Sequence, residues 1–451
     1  MLEKIKNIKL LEKPLTWYDL TLFFVIAIGS ALVFQQEDLI LTSRASFFLL
    51  NGHIFDFYDS LEPLFGGASY LISSYIVFAI WNIPIHIIGF DPVTGSTAVP
   101  TIFIMWFKLL PCIIYVISSI LVYKICITIG MGNLKSKLCS FVYLSTPVAF
   151  YGQFIFGQYD IFTLFFILLG LYYFYKKNMI KFVLFFGIAM TFKYFALLIF
   201  IPLLFLREKR ISRILLYTTG FFIPIVALTL IYMGSDVFWD GVYGFGAVGY
   251  VLNAVISVYE NMNISLVIIG FIVCCAWAYF TDPKENEDEV KWVFFFINIV
   301  IFLSFGLSKW HPQWLLLAAP FLAISTFMNK RADIFMFLDI LLMFFVIVIT
   351  INHWPRHLDQ YLFNLGVLNR FTRGSTWTIS MPDILMLKDL SIAYSIISGI
   401  LLVNVIYKHP KFCLEKIDEN INSFWGIARI RFFIGVAIFI IPAFICFMTM
   451  V

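Results

Sequence analysis

Apolar runs about as long as a bilayer is thick are the feature that most limits how this chain can fold. Four such runs contain few ionisable residues: 17–35, 214–232, 332–351 and 426–449. A helix of about 20 residues crosses the roughly 30 Å hydrocarbon layer of a membrane. Hydrophobic residues make up 61% of the chain, more than one soluble core could hide. The chain is therefore predicted to be a multi-pass protein of the cell membrane.

Basic residues between the apolar runs predict the orientation. They occur in short connectors: Lys135/Lys137, Lys176/Lys177/Lys181, Arg207/Lys209/Arg210/Arg213, Lys330/Arg331 and Lys408/Lys411/Lys416. Because lysine and arginine concentrate in cytoplasmic loops, these connectors and the N-terminus are predicted to be cytoplasmic. The first apolar run follows several lysines and could pass for a cleavable signal peptide, but the many later runs favour an uncleaved first span.

Alternation across the membrane predicts an all-α transmembrane bundle of about 12–14 spans, forming a single domain over residues 1–451. Its long extracytoplasmic loops, expected to carry juxtamembrane helices, lie at 36–100, 233–262 and 352–389. The stretch 68–90 is apolar enough to cross, but counting it would place Lys135 and Lys176 outside. It is therefore predicted to be re-entrant or interfacial.

Two apolar pieces, 182–192 and 194–206, are each too short to cross the full bilayer unaided. Together they predict a hairpin whose turn, near Lys193, lies in a dip or cavity on the outer side. A charged residue in such a place needs a partner or a function.

Several classes of function lack their signatures. The net charge of +4 comes from short connectors rather than from a basic stripe, so nucleic acid is not an expected partner. The seven cysteines show no metal-binding or disulfide spacing. The sequence also contains no dinucleotide-binding, P-loop, HExxH or GxSxG motif, so nucleotide-driven chemistry is not expected.

Ionisable and polar residues instead collect on the predicted outer side. Those of interest are Glu37, Asp38, Gln158, Asp160, Lys193, Trp310, His311, Gln313, Arg356, Arg370 and Arg373. Each also has a structural interpretation. Glu37-Asp38 and Asp160 could cap helices, Lys193 could snorkel to the interface, His311 could be an interfacial anchor, and the arginines could be ordinary loop charges. Carboxylates in the first part of the chain and cations in the later part, all on the predicted outer side of the membrane, favour a functional cleft on that side.

The order of these motifs resembles a known family. An acidic pair follows the first span, Leu50-Asn51-Gly52-His53 comes about a dozen residues later, and Gly157-Gln158-Tyr159-Asp160 leads into a helix. Phe192-Lys193 and Lys309–Trp314 follow. This arrangement is similar to the GT-C superfamily of polytopic glycosyltransferases, in particular its mannosyltransferase-like branch. The resemblance covers roughly 17–330. The chain has Glu37-Asp38 where many relatives carry Asp-Glu or a lone Asp.

The resemblance implies an inverting transfer of a hexose-type sugar from a polyprenyl-phosphate donor to a cell-surface or lipid-linked glycan acceptor on the extracytoplasmic face. Asp38 or Glu37 would be the catalytic base, with Asp38 favoured because adjacent carboxylates push their pKa values apart. Cations would face the donor phosphate: Lys193, His311 (partly charged near neutral pH), Arg356, Arg370 and Arg373. Sugar or acceptor contacts would come from Gln158, Asp160, Trp310 and Gln313. The cofactor is left open, and a divalent metal is possible.

Two other functions compete with this one. A transporter or flippase of lipid-linked glycans, without catalysis, would need ionisable residues along a path through the membrane. Between the loops the chain offers mainly Lys108, Lys124 and Asp339. A non-catalytic membrane scaffold would have no reason to gather carboxylates and cations on one side.

Overall fold

The computed structural model of the protein describes residues 14–66, 68–93, 99–244, 249, 254–259, 262–354, 360–372, 378–385, 387, 389–417 and 424–450. In the N-terminal half the helices are α1 (Trp17–Val33), α2 (Glu37–Ala45), α3 (Phe47–Leu50), α4 (Phe57–Phe65), α5 (Ile72–Ile87), α6 (Thr101–Thr128), α7 (Asn133–Leu144), α8 (Pro147–Phe150), α9 (Ile161–Tyr175), α10 (Met179–Met190), α11 (Phe195–Arg207), α12 (Ile211–Tyr232) and α13 (Asp236–Phe238). A π-helical turn, Tyr151–Phe156, continues α8, and another, Trp239–Tyr243, continues α13.

The C-terminal half begins with two strands, β1 (Val255–Tyr259) and β2 (Met262–Ser265). Its helices are α14 (Leu266–Phe280), α15 (Asn286–Ile301), α16 (Ala319–Thr326), α17 (Ala332–His353), α18 (Gln360–Asn364), α19 (Asn369–Thr372), α20 (Met381–Leu385), α21 (Ser391–Tyr407) and α22 (Trp425–Met448). A π-turn follows α15 at Phe302–Gly306, and two 3-10 turns lie at Pro312–Leu317 and Pro410–Phe412.

The helices make this a multi-pass membrane protein. Among the described residues five helices are long and apolar enough to cross a bilayer, and up to seven segments qualify if each of two bent pairs counts as one span. Six shorter apolar helices accompany them, α5, α9, α10, α11, α14 and α21. The predicted total of 12–14 spans needs these shorter helices to cross as well, so it stays a prediction. The 16-residue α5 corresponds to the stretch predicted to be re-entrant.

The prediction of an entirely helical chain misses one element. Within the loop predicted at 233–262, β1 and β2 pair antiparallel as a two-stranded hairpin. Val255 to Tyr259 are mostly β-branched or aromatic, which favours extended backbone over helix.

Ion pairs and lysines at helix ends hold the predicted cytoplasmic side of the bundle together. Arg429 of α22 binds Asp19 of α1 at 2.6 Å, joining the first and last long helices. Lys209 Nζ donates to the carbonyl oxygens of Ala278, Tyr279 and Thr281, at the end of α14. A cation suits this position because the last carbonyls of a helix lack partners within it.

The orientation gives a first testable prediction. We expect a cysteine placed at exposed Asn51 to react with a membrane-impermeant maleimide applied outside intact cells. A cysteine at exposed Lys411 should react only after the cells are opened, because its connector is basic. The unsubstituted protein, whose seven cysteines are buried or half-buried, is the control. Labelling of the Lys411 position from outside intact cells would contradict the predicted orientation.

Candidate functional site

A sharp bend after α1 positions the acidic pair. The segment Glu37–Leu50 turns by 76° from the axis of Trp17–Val33. If α1 crosses the membrane, α2 therefore runs close to the membrane plane. The buried Lys108 of α6 stabilises the bend, because its Nζ donates to the carbonyl oxygens of Phe34 and of Ile155. Lys108 thus ties the end of α1 to the π-turn before Gly157.

The geometry separates the two adjacent carboxylates. Glu37 is exposed, whereas Asp38 is half-buried and accepts a hydrogen bond from the Tyr159 hydroxyl at 3.3 Å. The Thr42 hydroxyl, one turn along α2, donates to the same tyrosine oxygen at 3.1 Å. The ring of Tyr70 packs edge-on against Tyr159, with centroids 5.3 Å apart. Asp38, and not Glu37, is therefore the carboxylate that faces the protein interior.

Burial and the nearby Asp160 carboxylate raise the pKa of Asp38 to about 6. The hydrogen bond from Tyr159 and the charge of Lys193 partly oppose this rise. From the sequence, the neighbouring Glu37 is expected to separate the pKa values of the pair. The carboxylate that acts on Asp38 is instead Asp160, which precedes α9.

Asp160 and Lys193 form a buried ion pair. Lys193 lies in the turn between α10 and α11, and its Nζ contacts Asp160 Oδ2. The Asp160 side chain is 3% exposed and that of Lys193 is 17% exposed. Asp160 holds the N-cap position of α9, yet its side chain makes no capping hydrogen bond. The interpretation of Asp160 as a helix cap is therefore replaced by its pairing with Lys193.

Trp314 connects Lys193 to the Lys309–Trp314 segment. Lys193 Nζ lies over the Trp314 ring, 3.9 Å from its centroid, a cation–π contact. The His311 ring packs against the same indole at 5.0 Å and against Trp354 at 4.8 Å. Lys193 and His311, predicted to converge, thus contact the same tryptophan.

His311 cannot supply the partial positive charge expected from its residue type. Burial, together with the charges of Lys193 and Lys309, lowers the pKa of His311 to about 4. The imidazole is therefore neutral at physiological pH, and the half-buried Lys193 is the cation of the pair; burial lowers the pKa of Lys193, and the Asp160 carboxylate opposes that shift.

A cavity of about 270 Å³ opens beside Lys193. Aromatic and basic side chains form much of its wall: Tyr70, Phe192, Lys193, Tyr194, Lys309, Trp310 and Trp314. Trp310 is 2% exposed, and its indole nitrogen donates to the carbonyl oxygen of Phe305. Aromatic walls with a few polar groups are typical of ligand sites. Because Tyr70 also packs on Tyr159, the cavity and Asp38 belong to one cluster.

Buried glutamines lie on the two irregular segments next to this cluster. Gln153 and Gln158 are fully buried, and neither side-chain amide has a hydrogen-bond partner among the described residues. The side-chain oxygen of buried Gln313 is likewise unpartnered within the described part of the chain. The segments touch, since a Cβ at Gly152 would lie 3.2 Å from the Gln313 carbonyl oxygen. Buried amides are normally paired with protein groups or ordered water, and none of these three glutamines is among the residues that line the cavity.

Gly157 permits this close packing. It has a φ of +85°, and a Cβ there would lie 3.0 Å from Leu39 Cδ2 and 3.1 Å from Lys108 Cε. Any other residue would be strained at this φ, and its Cβ would crowd the side chains of Leu39 and Lys108.

Of the three arginines assigned to the donor phosphate, the structure describes Arg370. Arg370 is exposed on α19, where its neighbour Asn369 bonds to Thr101. It does not line the cavity described above. Arg356 and Arg373 lie outside the described residues. Within the described part of the chain, no three His, Cys, Asp or Glu side chains group as metal ligands.

Sequence reasoning did not assign roles to Tyr70, Thr42, Tyr159 or Trp314. Tyr159 belongs to the motif that contains Asp160, and Trp314 belongs to the motif that contains His311. Their closeness in sequence to these candidate residues could therefore have indicated a place in the site. Tyr70 and Thr42 carry no local signal, because only the tertiary fold brings them to Asp38.

Comparison of the chain with protein-family models, with curated proteins and with solved structures finds no match in any of the three. The chemistry of the site is therefore the basis for assigning a function.

Proposed function

We propose that this protein is an inverting glycosyltransferase of the GT-C kind, which moves a hexose-type sugar from a polyprenyl-phosphate donor to a glycan or lipid-linked acceptor at the outer face of the membrane. The observation that carries the proposal is one cluster in which a carboxylate with a raised pKa, Asp38, lies near a half-buried cation, Lys193, beside an aromatic cavity. Strongly perturbed groups in a cleft are typical of functional sites.

Asp38 has the properties required of the base. An inverting transfer needs a carboxylate to take the proton of the acceptor hydroxyl as that oxygen attacks the anomeric carbon. With a pKa of about 6, Asp38 is ionised at neutral pH yet more basic than an exposed carboxylate. The Tyr159 hydroxyl orients it.

Lys193 would stabilise the leaving group. As the glycosidic bond breaks, negative charge develops on the lipid phosphate, and a fixed cation in a water-poor site lowers that barrier. Asp160 and Trp314 hold the ammonium in place before the donor arrives. The unpartnered amide of Gln158 and the unpartnered side-chain oxygen of Gln313 would bind sugar hydroxyls once a substrate reaches them.

A second cavity supports a substrate with a lipid tail. It is a groove of about 670 Å³ between α1 and α6, walled mainly by apolar side chains such as Ile28, Leu32, Ile113 and Ile117. Its lining also includes Lys108, the residue that ties the bend before Asp38. An apolar chain in this groove would lie beside the segment that carries the proposed base.

The competing function of a transporter finds less support in the described residues. Lys108 binds two backbone carbonyls, and Asp339 binds the fully buried Arg431 at 2.7 Å. Both charges thus have structural partners, whereas a path for ions or charged substrates needs groups that are free to exchange partners.

The direct test of the proposed function is to incubate purified protein with a panel of polyprenyl-phosphate sugars and an acceptor extract and to follow consumption of each donor. We expect one donor to be consumed and its sugar to appear on an acceptor. Movement of intact donor across a vesicle membrane, without consumption, would instead identify a transporter.

The pKa of Asp38 predicts a pH dependence. We expect kcat/KM to rise with pH through about 6, because the base must be ionised, and to fall about tenfold for each unit below that. Tyr159→Phe removes a hydrogen bond that lowers the pKa of Asp38, so this limb should move to higher pH. Glu37→Gln, the matched control, should leave the limb in place. A Tyr159→Phe profile that coincides with the wild-type profile would contradict the assignment of Asp38.

A further inference from the structure

At its two central residue pairs the hairpin of β1 and β2 has one apolar and one polar face, and the exposed Val255 lies with its partner Ser265 on the polar side. Ile256 pairs with Ile264, and Ser257 pairs with Asn263. Because successive strand residues point to opposite sides, the two isoleucines share one face and the two polar residues share the other. The Ser257 hydroxyl bonds to the Asn263 side-chain oxygen at 2.9 Å across the polar face.

The apolar face is open. Ile256 is 54% exposed and Ile264 is 43% exposed. The residues farther along the hairpin, Val258, Tyr259 and Met262, are more exposed than these two. A two-stranded hairpin is marginally stable in water unless its apolar side is covered.

The hairpin is joined directly to a helix that faces lipid. Leu266, the first residue of α14, donates its backbone N–H to the carbonyl oxygen of Ala254 at 2.9 Å, next to the base of the hairpin. Along α14 the exposed side chains Ile268, Ile269 and Ile272 continue the apolar surface. In a multi-pass membrane protein such a surface contacts acyl chains.

The length of α14 sets the depth of the hairpin. Its 15 residues rise about 22 Å, compared with roughly 30 Å of hydrocarbon. The end of α14 away from the hairpin binds Lys209 through the Tyr279 carbonyl oxygen. The charge of Lys209 favours a position at the polar boundary of the bilayer. If that end lies at one edge of the hydrocarbon layer, the Ser265 end lies about 8 Å below the opposite edge. The hairpin therefore leaves α14 close to the acyl chains.

We propose that the hairpin lies in the boundary between headgroups and acyl chains, with Ile256 and Ile264 directed into the bilayer and Ser257 and Asn263 directed to water. The strand residues 255–259 and 262–265 contain no side chain that is charged at neutral pH, so the strands bear no charge that would be costly at this depth. Between them in the sequence stand Glu260 and Asn261, polar residue types that suit the headgroup layer rather than the hydrocarbon. The tip carries Tyr259, a residue type enriched at membrane interfaces. The unpaired strand edges can bond to headgroups and water there, which they could not do deeper.

Depth-dependent fluorescence quenching tests this placement. Ile256→Cys and Ser257→Cys proteins are each labelled with an environment-sensitive nitrobenzoxadiazole group and placed in phosphatidylcholine vesicles. A nitroxide near the ester end of the acyl chain serves as the quencher. Labelled unsubstituted protein gives the background from native cysteines. We expect blue-shifted, strongly quenched emission from the Ile256 site and water-like, weakly quenched emission from the Ser257 site. If Ile256→Cys folds poorly, Ile264→Cys on the other strand replaces it, and its label should give the same blue-shifted, strongly quenched emission.

Three outcomes would overturn the proposal. Water-like emission at Ile256 and Ile264 would mean that the apolar face stays in solvent. Blue-shifted but unquenched emission would mean that protein, such as a second copy of the chain, covers it. Equal quenching at Ile256 and Ser257 would mean that the hairpin has no fixed orientation. None of these results depends on glycosyltransferase activity.

Discussion

Asp38→Asn is expected to lower the turnover of donor by about 10² to 10⁴ while donor binding survives. The amide keeps the shape of the side chain and can still bond to the Tyr159 hydroxyl, but it cannot accept a proton from the acceptor. The bend before α2 is held by Lys108 and not by Asp38, so the fold should persist. Single-turnover rates and equilibrium binding of a labelled donor would separate the two effects.

Glu37→Gln is the matched control for Asp38→Asn. It removes an adjacent carboxylate that is exposed rather than directed to Tyr159. We expect its turnover to stay within about threefold of the wild type, since an exposed carboxylate contributes little to the site. A loss of turnover in Glu37→Gln but not in Asp38→Asn would identify Glu37 as the base.

Lys193→Met is expected to have two effects, one on donor binding and one on stability. It removes the half-buried cation proposed to face the phosphate, so donor affinity should fall by at least about tenfold. It also leaves Asp160 buried without its partner, which destabilises a protein by about 3–5 kcal/mol. Thermal unfolding in detergent and donor titration would measure the two effects.

The double variant Lys193→Met/Asp160→Asn separates these effects. It removes both charges of the pair, so stability should recover in part while donor binding stays weak. His311→Gln should weaken donor binding much less, because the imidazole is already neutral. If the double variant regained both stability and donor affinity, Lys193 would be a structural residue only.

The apolar helices could be predicted from sequence because their residues must face lipid or the bundle core. The predicted apolar runs 214–232 and 332–351 lie within α12 and α17, and the turn predicted near Lys193 lies between α10 and α11. Long apolar runs and short basic connectors carry this information locally.

The pairings that make up the site could not be predicted in the same way. Asp38 meets Tyr159, and Asp160 meets Lys193, because of how distant helices pack. No local signal announces the π-turn Tyr151–Phe156 or the 76° bend after α1. The neutral state of His311 also depends on tertiary burial and on the charge of Lys193, neither of which the residue type reveals.

We would compare the rate of sugar transfer by the wild-type protein with that of the double amide variant Glu37→Gln/Asp38→Asn, on the donor that the wild type consumes. This comparison tests whether a carboxylate of the pair is the catalytic base. Both carboxylates that could serve as the base are then removed, so the result does not depend on choosing between them. If a carboxylate of this pair is the base, the variant binds the donor but transfers sugar at least about 10²-fold more slowly. Transfer by the variant at close to the wild-type rate would contradict this assignment.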